Sequence, residues 1–353
     1  MNITSPATHT VETIELTRGY RIPRIIRGGW QLAGDHGEVN RERALTDMAA
    51  FVAVGLNTVD GADIYTGVEA MYGEFNARQR VANTSRLQVH TKFVPDYGDL
   101  AHVDEAYVRR IVTRSLQRLQ VEQLDLVQFH WWDYQTGDFV AVAQTLNTLR
   151  KEGLIAHLGG TNFDTASTQA MLQADVPLVS MQVQYSLLDR RPAHTLAGLG
   201  ARHGMHLLCY GTLAGGFLSE RWLNQSEPNT DLGNRSLVKY KLIIEEFGGW
   251  AAFQTLLRAL KSIADRHGVS ISTVATRWVL DQPAVAAAIV GARYGDHIGD
   301  ALNVFTLKLD SADHALLGPI LATSPGPGGD TYSLERDKTG PHGRIMKYDL
   351  NKT

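Results

Sequence analysis

The stretch VRRIVTRSLQRLQVEQLDLVQFHWW, residues 108–132, changes its hydrophobic period half-way along. Val108, Ile111, Val112, Ser115, Leu116 and Leu119 recur at steps of three and four, which puts them on one face of a helix. LDLVQFHW, residues 124–131, is a short apolar run of strand length that ends in a histidine. The same alternation continues in both directions, with strands predicted at 24–30, 57–62, 87–93, 155–163, 179–185, 206–212 and 286–292. Strands separated by amphipathic helices lie parallel, and eight such units close into a (β/α)8 TIM barrel. A doubly wound open sheet is the next best arrangement.

The chain has 353 residues, and a minimal barrel uses about 250. We expect residues 1–353 to form one barrel domain, with a core of about 14–309, because no Ser- or Pro-rich linker cuts the middle of the sequence. The surplus falls in three places. IELTRGYRIP, residues 14–23, reads as an N-terminal hairpin plugging the barrel floor; residues 219–249 are a long segment after strand 7 whose polar first half, SERWLNQSEPNTDLGN (219–234), looks like a long loop; and residues 323–353, rich in Pro, Gly and charge, form a C-terminal tail.

With 34 basic and 37 acidic residues and a net charge of −3, the chain carries no basic stripe, which argues against a nucleic-acid partner. No apolar run is long enough to span a bilayer, no leader pattern opens the sequence, and a lone Cys209 cannot form an internal disulfide. A cytoplasmic location is expected.

In a barrel the working face lies at the C-terminal ends of the strands. There the sequence sets Asp60, Tyr65, Lys92 and His130, from three consecutive strand ends. Singly, each reads as incidental: a loop Asp, a packed Tyr, a rim Lys, a hydrogen-bonded His. Together they make a proton-handling set. An ammonium about 4 Å from a phenol is worth on the order of 4 kcal/mol, or about three pKa units, so Lys92 would make Tyr65 a usable acid. Asp60 would hold Lys92 charged, and His130 would donate a hydrogen bond that orients a substrate oxygen. Such a set suits protonation of an oxygen whose carbon has just received a hydride. No Ser or Cys nucleophile sits beside a base, and no metal-binding cluster of His and carboxylates is evident.

These residues stand in motifs that resemble the aldo-keto reductases. DGADIYTGVEAMYG (60–73), with Glu69 and Gly73, is similar to the family's Asp-Thr-Ala-x-x-Tyr-Gly stretch, and TRSLQRLQVEQLDLVQFHW (113–131) looks like its Ser-Leu-x-Arg-Leu run leading to a His. The resemblance covers about 14–309 and is to bacterial-type members, near the branch of potassium-channel β-subunit-like proteins and of sugar and aldehyde reductases. It implies the eight-stranded barrel and a catalytic tetrad of Asp60, Tyr65, Lys92 and His130. It further implies an NAD(P)-dependent oxidoreductase acting on CH–OH donors, which reversibly reduces an aldehyde, ketone or sugar with Tyr65 as general acid. The alternatives are a nicotinamide-binding redox-sensing subunit of a larger complex and a dehydrogenase working on a sugar or alcohol.

The resemblance also implies cofactor positions. Gly29 and Trp30 close strand 1; Thr161, Asn162 and Gln182 would hold the nicotinamide carboxamide; and Tyr210 either stacks on the nicotinamide or packs in the core. Gly211, Thr212, Leu213 and Gly215 match the loop over the pyrophosphate, with Gly211 where the family usually has Ser. Gly291 and Arg293 would lie near the adenine ribose or its phosphate. His297 stands where many members hold the 2′-phosphate with Gln, Lys or Arg, and Ala301 replaces a family Asn. A histidine carries only partial charge near neutral pH, where Arg is always charged. NADPH is the expected cofactor because Arg293 is near, and the weaker anchor at His297 leaves its preference modest, with NADH tolerated.

For the substrate, Trp30, Trp131 and Trp222 are the expected pocket walls. An aromatic mouth with few fixed charges fits a small, uncharged carbonyl compound. Arg190, Arg191, Arg336, His342 and Lys347 are further candidates, the last three if the tail folds back.

Overall fold

In a computed structural model of the chain, residues 10–33, 39–228, 232, 235–291 and 295–351 are described. Two short antiparallel strands, β1 (Thr13–Thr17) and β2 (Tyr20–Pro23), come first. Eight parallel strands follow: β3 (Ile25–Gly28), β4 (Thr58–Asp60), β5 (Gln88–Phe93), β6 (Leu124–Phe129), β7 (Ile155–Thr161), β8 (Leu178–Gln184), β9 (His206–Tyr210) and β10 (Val285–Gly291). They pair in chain order, and β10 returns to β3 through Ala288–Ile25 and Gly291–Gly28, closing a (β/α)8 barrel.

The connecting helices are α1 (Arg41–Ala53), α2 (Val68–Ala82), α3 (Glu105–Leu119), α4 (Phe139–Lys151), α5 (Thr165–Gln173) and α6 (Leu196–His203). Between β9 and β10 run α7 (Arg235–Phe247), α8 (Gly249–His267) and α9 (Ile271–Leu280), and after β10 come α10 (Ile298–Thr306) and α11 (Ser311–Thr323). Two short helices, α12 (Ser333–Arg336) and α13 (Pro341–Arg344), lie in the tail.

Helix α3 illustrates how the sequence sets these limits. The Asp104 carboxylate caps its start by accepting from the Tyr107 N–H at 2.8 Å, and Gln120 ends it in the left-handed region at φ 55°. Its predicted stripe buries Val108, Ile111, Val112, Ser115 and Leu119. Each large apolar member of the stripe stabilises the wall by about 1.5–3 kcal/mol.

Hairpin β1–β2 plugs the floor: Leu16, Tyr20 and Ile22 pack against Ile26, Leu126, Leu208 and Ala286 inside the barrel. Tyr20 Oη lies 3.0 Å from Nε2 of the buried His90, which ties the plug to β5. Cys209 is a buried wall residue.

The structure sharpens three of these readings. Several strands stop short of their predicted ends because the chain turns at the rim, as at Asn162, whose φ is 62°. The second half of 219–249 is helix α7, to which Tyr240, Ile243, Ile244 and Phe247 give a buried face. The tail is not loose. Arg191 pairs with Glu335 at 3.0 and 3.1 Å and with Asp189 at 3.0 and 2.7 Å, all three buried, while Arg190 donates to the carbonyls of Leu321 and Ser324. Those two arginines therefore hold the tail and do not face the mouth cavity.

Candidate active site

Asp60 ends β4, Lys92 lies near the end of β5, and His130 follows β6, so parallel register brings all three to one rim. The Lys92 ammonium donates to both oxygens of Asp60 at 2.7 Å and to the Gly61 carbonyl at 2.8 Å. Asp60 Oδ1 also accepts from Gln182 Nε2 at 2.6 Å and from Gln128 Nε2 at 3.2 Å. A buried ion pair needs further hydrogen bonds to offset its desolvation, and here the ammonium's donors and Asp60 Oδ1 have them. Tyr65, in the turn after β4, presents its ring 5.0 Å from Lys92 Nζ and 5.0 Å from the Trp30 ring.

The electrostatics differ from the expectation for Tyr65. Burial, followed by the fields of Asp60 and Asp63, holds its phenol well above the ordinary value, while burial pulls Lys92 down against Asp60. With both Asp60 oxygens on Nζ, the ammonium's field is largely cancelled at Tyr65. The phenol stays protonated, as a proton donor must.

His130 is 3 % exposed, and burial, then Arg336 and Lys92, push it down to about 3 against the Thr161 carbonyl. Its Nδ1 lies 3.1 Å from that carbonyl oxygen, and its Nε2 is buried with no partner among the described residues. The ring is therefore neutral with its proton on Nδ1, so the expected donation from Nε2 is not available in this state.

One cavity of about 660 Å³ joins these groups, within the usual range for small-molecule and cofactor sites. Asp60, Tyr65, Lys92 and His130 line it, as do Trp30, Thr161, Asn162, Gln182 and Tyr210. Further along it lie Gly211, Thr212, Leu213, Gly215, Gly291 and His297. Tyr210 Oη donates to Asn162 Oδ1 at 2.9 Å, which fixes both side chains at the opening.

Gly211 and Gly215 have φ of 71° and 66°, and a Cβ on either would run into the Tyr240 ring, so the loop after β9 is shaped by α7. This cradle and the orphan Nε2 of His130 fit an elongated, polar-ended ligand such as a dinucleotide.

Four expected positions fall elsewhere. Trp131 is fully buried and turns away from the cavity, donating its indole N–H to the carbonyls of Asp133 and Thr136 at 3.0 Å; its neighbour Trp132 lines the cavity instead. Both follow the end of β6 at Phe129, where the turning chain sends the two rings to opposite sides. Trp222 packs against Phe217 (tilted) and Trp250 (edge to face), at 4.7 and 5.9 Å between ring centres, and does not line the cavity. Gly29 sits behind the rim, where a Cβ would strike the Asp60 carbonyl and Tyr72 Oη. Arg293 lies outside the described residues.

Other lining residues escaped sequence reading. Lys239 and Tyr240 come from α7, Thr273 and Thr276 from α9, and Tyr332 from the tail. Lys239 Nζ sits over the rings of Tyr210, Tyr240 and Tyr332 at 5.1, 5.6 and 5.9 Å. Its spacing from Tyr240 and Ile243 was a usable signal of a helix over the mouth.

The tail closes this side. Arg336 donates to the carbonyls of Trp131, Trp132 and Asn162 at 2.5, 2.7 and 2.9 Å, and Asp96 accepts from the N–H groups of Leu350 and Asn351 at 2.9 and 2.8 Å. Of the tail candidates, Lys347 lines the cavity; His342 is buried beside Glu246 and does not.

A chain with this barrel and this rim is an oxidoreductase of the Aldo/keto reductase family: the family's model matches residues 24–321, and the protein belongs to it. Flagellar radial spoke protein 5 of Chlamydomonas reinhardtii is 30% identical over 62% of this chain, and the chain spans only 49% of that protein's length. A glycerol dehydrogenase from Gluconobacter oxydans has the same fold, with a TM-score of 0.75 and 25% identity, over 92% of this chain and 99% of its own. An aldo/keto reductase from Klebsiella pneumoniae, solved with NADP and acetate, gives a TM-score of 0.67 at 22% identity, over 91% of this chain and 98% of its own. Among the described residues no helix is long and apolar enough to cross a membrane.

Proposed function

We propose that the protein is a cytoplasmic NAD(P)H-dependent carbonyl reductase, acting on CH–OH donors in the reverse direction, with Asp60, Tyr65, Lys92 and His130 as its catalytic residues. The observation that carries this reading is the convergence of a protonated phenol, a fully satisfied Lys92–Asp60 pair and an unpartnered His130 nitrogen on one cavity. When bound, the reduced nicotinamide supplies the hydride that the carbonyl carbon accepts. Tyr65 donates its proton to the carbonyl oxygen, and the phenolate left behind faces Lys92, whose ammonium is 5.0 Å from the ring. Asp60 keeps that ammonium in place. Solvent restores the phenol proton.

Thr161, Asn162, Gln182 and Tyr210 would hold the nicotinamide end; Gly211, Thr212, Leu213 and Gly215 the pyrophosphate; Gly291, Arg293 and His297 the adenosine end. Trp30 and Trp132 would flank the substrate. The Klebsiella relative's NADP complex supports NADPH as cofactor. His297 is exposed at the cavity edge with the carboxylate of Asp300 lining the same edge, which argues for a modest preference and tolerance of NADH. We read residues 1–353 as one unit in which the tail is part of the site.

The test is NADPH oxidation with a panel of aldehydes, ketones and sugars. Turnover on at least one class is expected. Tight nicotinamide binding with no turnover on any of them would instead favour a redox-sensing subunit.

A further inference from the structure

The end of the cavity at Tyr210 and Asn162 carries two cations that the proton-handling set does not use. Lys239, half-buried on α7, holds its ammonium over the rings of Tyr210, Tyr240 and Tyr332 at 5.1, 5.6 and 5.9 Å, and all four side chains line the cavity. Arg336 stands on Tyr332 as well, at 5.6 Å, and donates to the carbonyl of Asn162 at 2.9 Å. Lys92, by contrast, is matched by Asp60, and Arg191 by Asp189 and Glu335. Among the described residues neither Lys239 nor Arg336 has a carboxylate within ion-pair distance. Burial pulls Lys239 below the ordinary lysine value, while the fields of Glu335 and Asp189 work to keep its charge and that of Arg191 opposes them.

A nicotinamide changes charge when it reacts. The ring that holds the hydride is neutral; the ring that has given it to the carbonyl carbon carries a positive charge, and the proton for the carbonyl oxygen comes from Tyr65. A cationic ring gains most from the negative faces of tyrosines, yet here an ammonium already stands over three of them. It also meets that ammonium's repulsion. Even about 10 Å apart, two like unit charges at an effective dielectric of about 20 shift an equilibrium about tenfold.

We infer that Lys239 selects the oxidation state of the cofactor: it disfavours the oxidised ring, so the protein binds NADPH more tightly than NADP⁺ and releases NADP⁺ readily after each reduction. The inference rests on the carbonyl-reductase reading, which puts the nicotinamide beside Tyr210 and Asn162, and it adds a direction to that reading. The equilibrium in solution is unchanged. What Lys239 changes is which form the protein holds, and it does so only through a difference in affinity between the two. A lysine that only clamped the pyrophosphate would strengthen both forms alike, because they share that group.

The experiment is calorimetric titration of the full-length protein with NADPH and with NADP⁺, for wild type, Lys239→Met and Lys239→Arg. Wild type is expected to bind NADPH about tenfold or more tightly than NADP⁺. Lys239→Met, which keeps the stem and removes the charge, should lower that ratio about tenfold, and Lys239→Arg should keep it. Equal affinities in wild type, or a ratio unchanged in Lys239→Met, would overturn the inference. A loss of both affinities in step overturns it too, and points to a pyrophosphate clamp or a packing role. Where Lys239→Met does not fold, Lys239→Gln removes the same charge and is read in the same way. Failure of wild type to bind either form overturns the reductase reading and the inference with it. The expected ratios without turnover of any carbonyl compound support the inference and overturn only the reductase reading.

Discussion

Acid should loosen the barrel floor through His90. This side chain is wholly buried on β5, with Nε2 3.0 Å from Tyr20 Oη, and burial above all pushes it from 6.5 down to about 4, against the fields of Asp60 and Asp125. Because the folded value lies below the unfolded one, the unfolded chain binds more protons between pH 6.5 and about 4. The stability this group contributes is complete above 6.5 and falls away as the pH drops. From 6.5 to about 4, at about 1.36 kcal/mol per pH unit, the fold loses roughly 3 kcal/mol, a large part of a typical domain's 5–15 kcal/mol. Asp63 works in the opposite sense: burial raises its carboxyl well above the ordinary value, so it adds stability as the pH falls. The two are separated by comparing wild type with His90→Gln. Urea unfolding of both at pH 7, 6, 5 and 4 should show the gap shifting by roughly 3 kcal/mol in favour of the variant. Amides of β1 and β2 should lose hydrogen-exchange protection in the wild type over the same range. Parallel stability curves for the two proteins would refute the reasoning.

Arg336→Met leaves three carbonyls at the mouth without their charged donor, and should destabilise the tail by about 3 kcal/mol and raise KM for substrate. Hydrogen exchange over residues 330–351, with steady-state kinetics, checks both effects. Gly211→Ala forces a Cβ onto Tyr240 at a φ of 71°, and NADPH affinity, read by tryptophan-fluorescence titration, should fall about tenfold or more. The ratio of kcat/KM for NADPH over NADH should stay below about a hundredfold, as expected where no arginine is described beside the adenosine end of the cavity. A ratio above that would show that a stronger anchor holds the 2′-phosphate.

The barrel was legible because period alone carries it: the stripe on α3 and the apolar run of β6 read correctly from spacing. The convergence of Asp60, Lys92 and His130 was legible for a related reason, since parallel strands bring their ends to one rim whatever the side chains. What spacing could not give was the phase of a side chain after its strand ends. Trp131 and Trp132 differ by one residue and face opposite ways, and the sequence has no feature that decides which faces the cavity. Long-range closure was equally hidden. Lys239, Tyr332 and the buried Arg191–Glu335 pair meet only because the tail crosses the mouth, and a Pro- and Gly-rich tail has no periodicity from which to read that path. The tautomer of His130 depends on a backbone carbonyl on the neighbouring strand, which no local motif contains.

The most direct measurement is the turnover of Tyr65→Phe alongside its cofactor affinity. Removing one hydroxyl from the half-buried Tyr65 ring leaves the packing against Trp30 intact and takes away the proton donor. On a carbonyl compound that the wild type reduces, kcat should fall by about 10²–10⁴, with NADPH affinity within about twofold of wild type. Near-normal turnover in Tyr65→Phe would contradict the account.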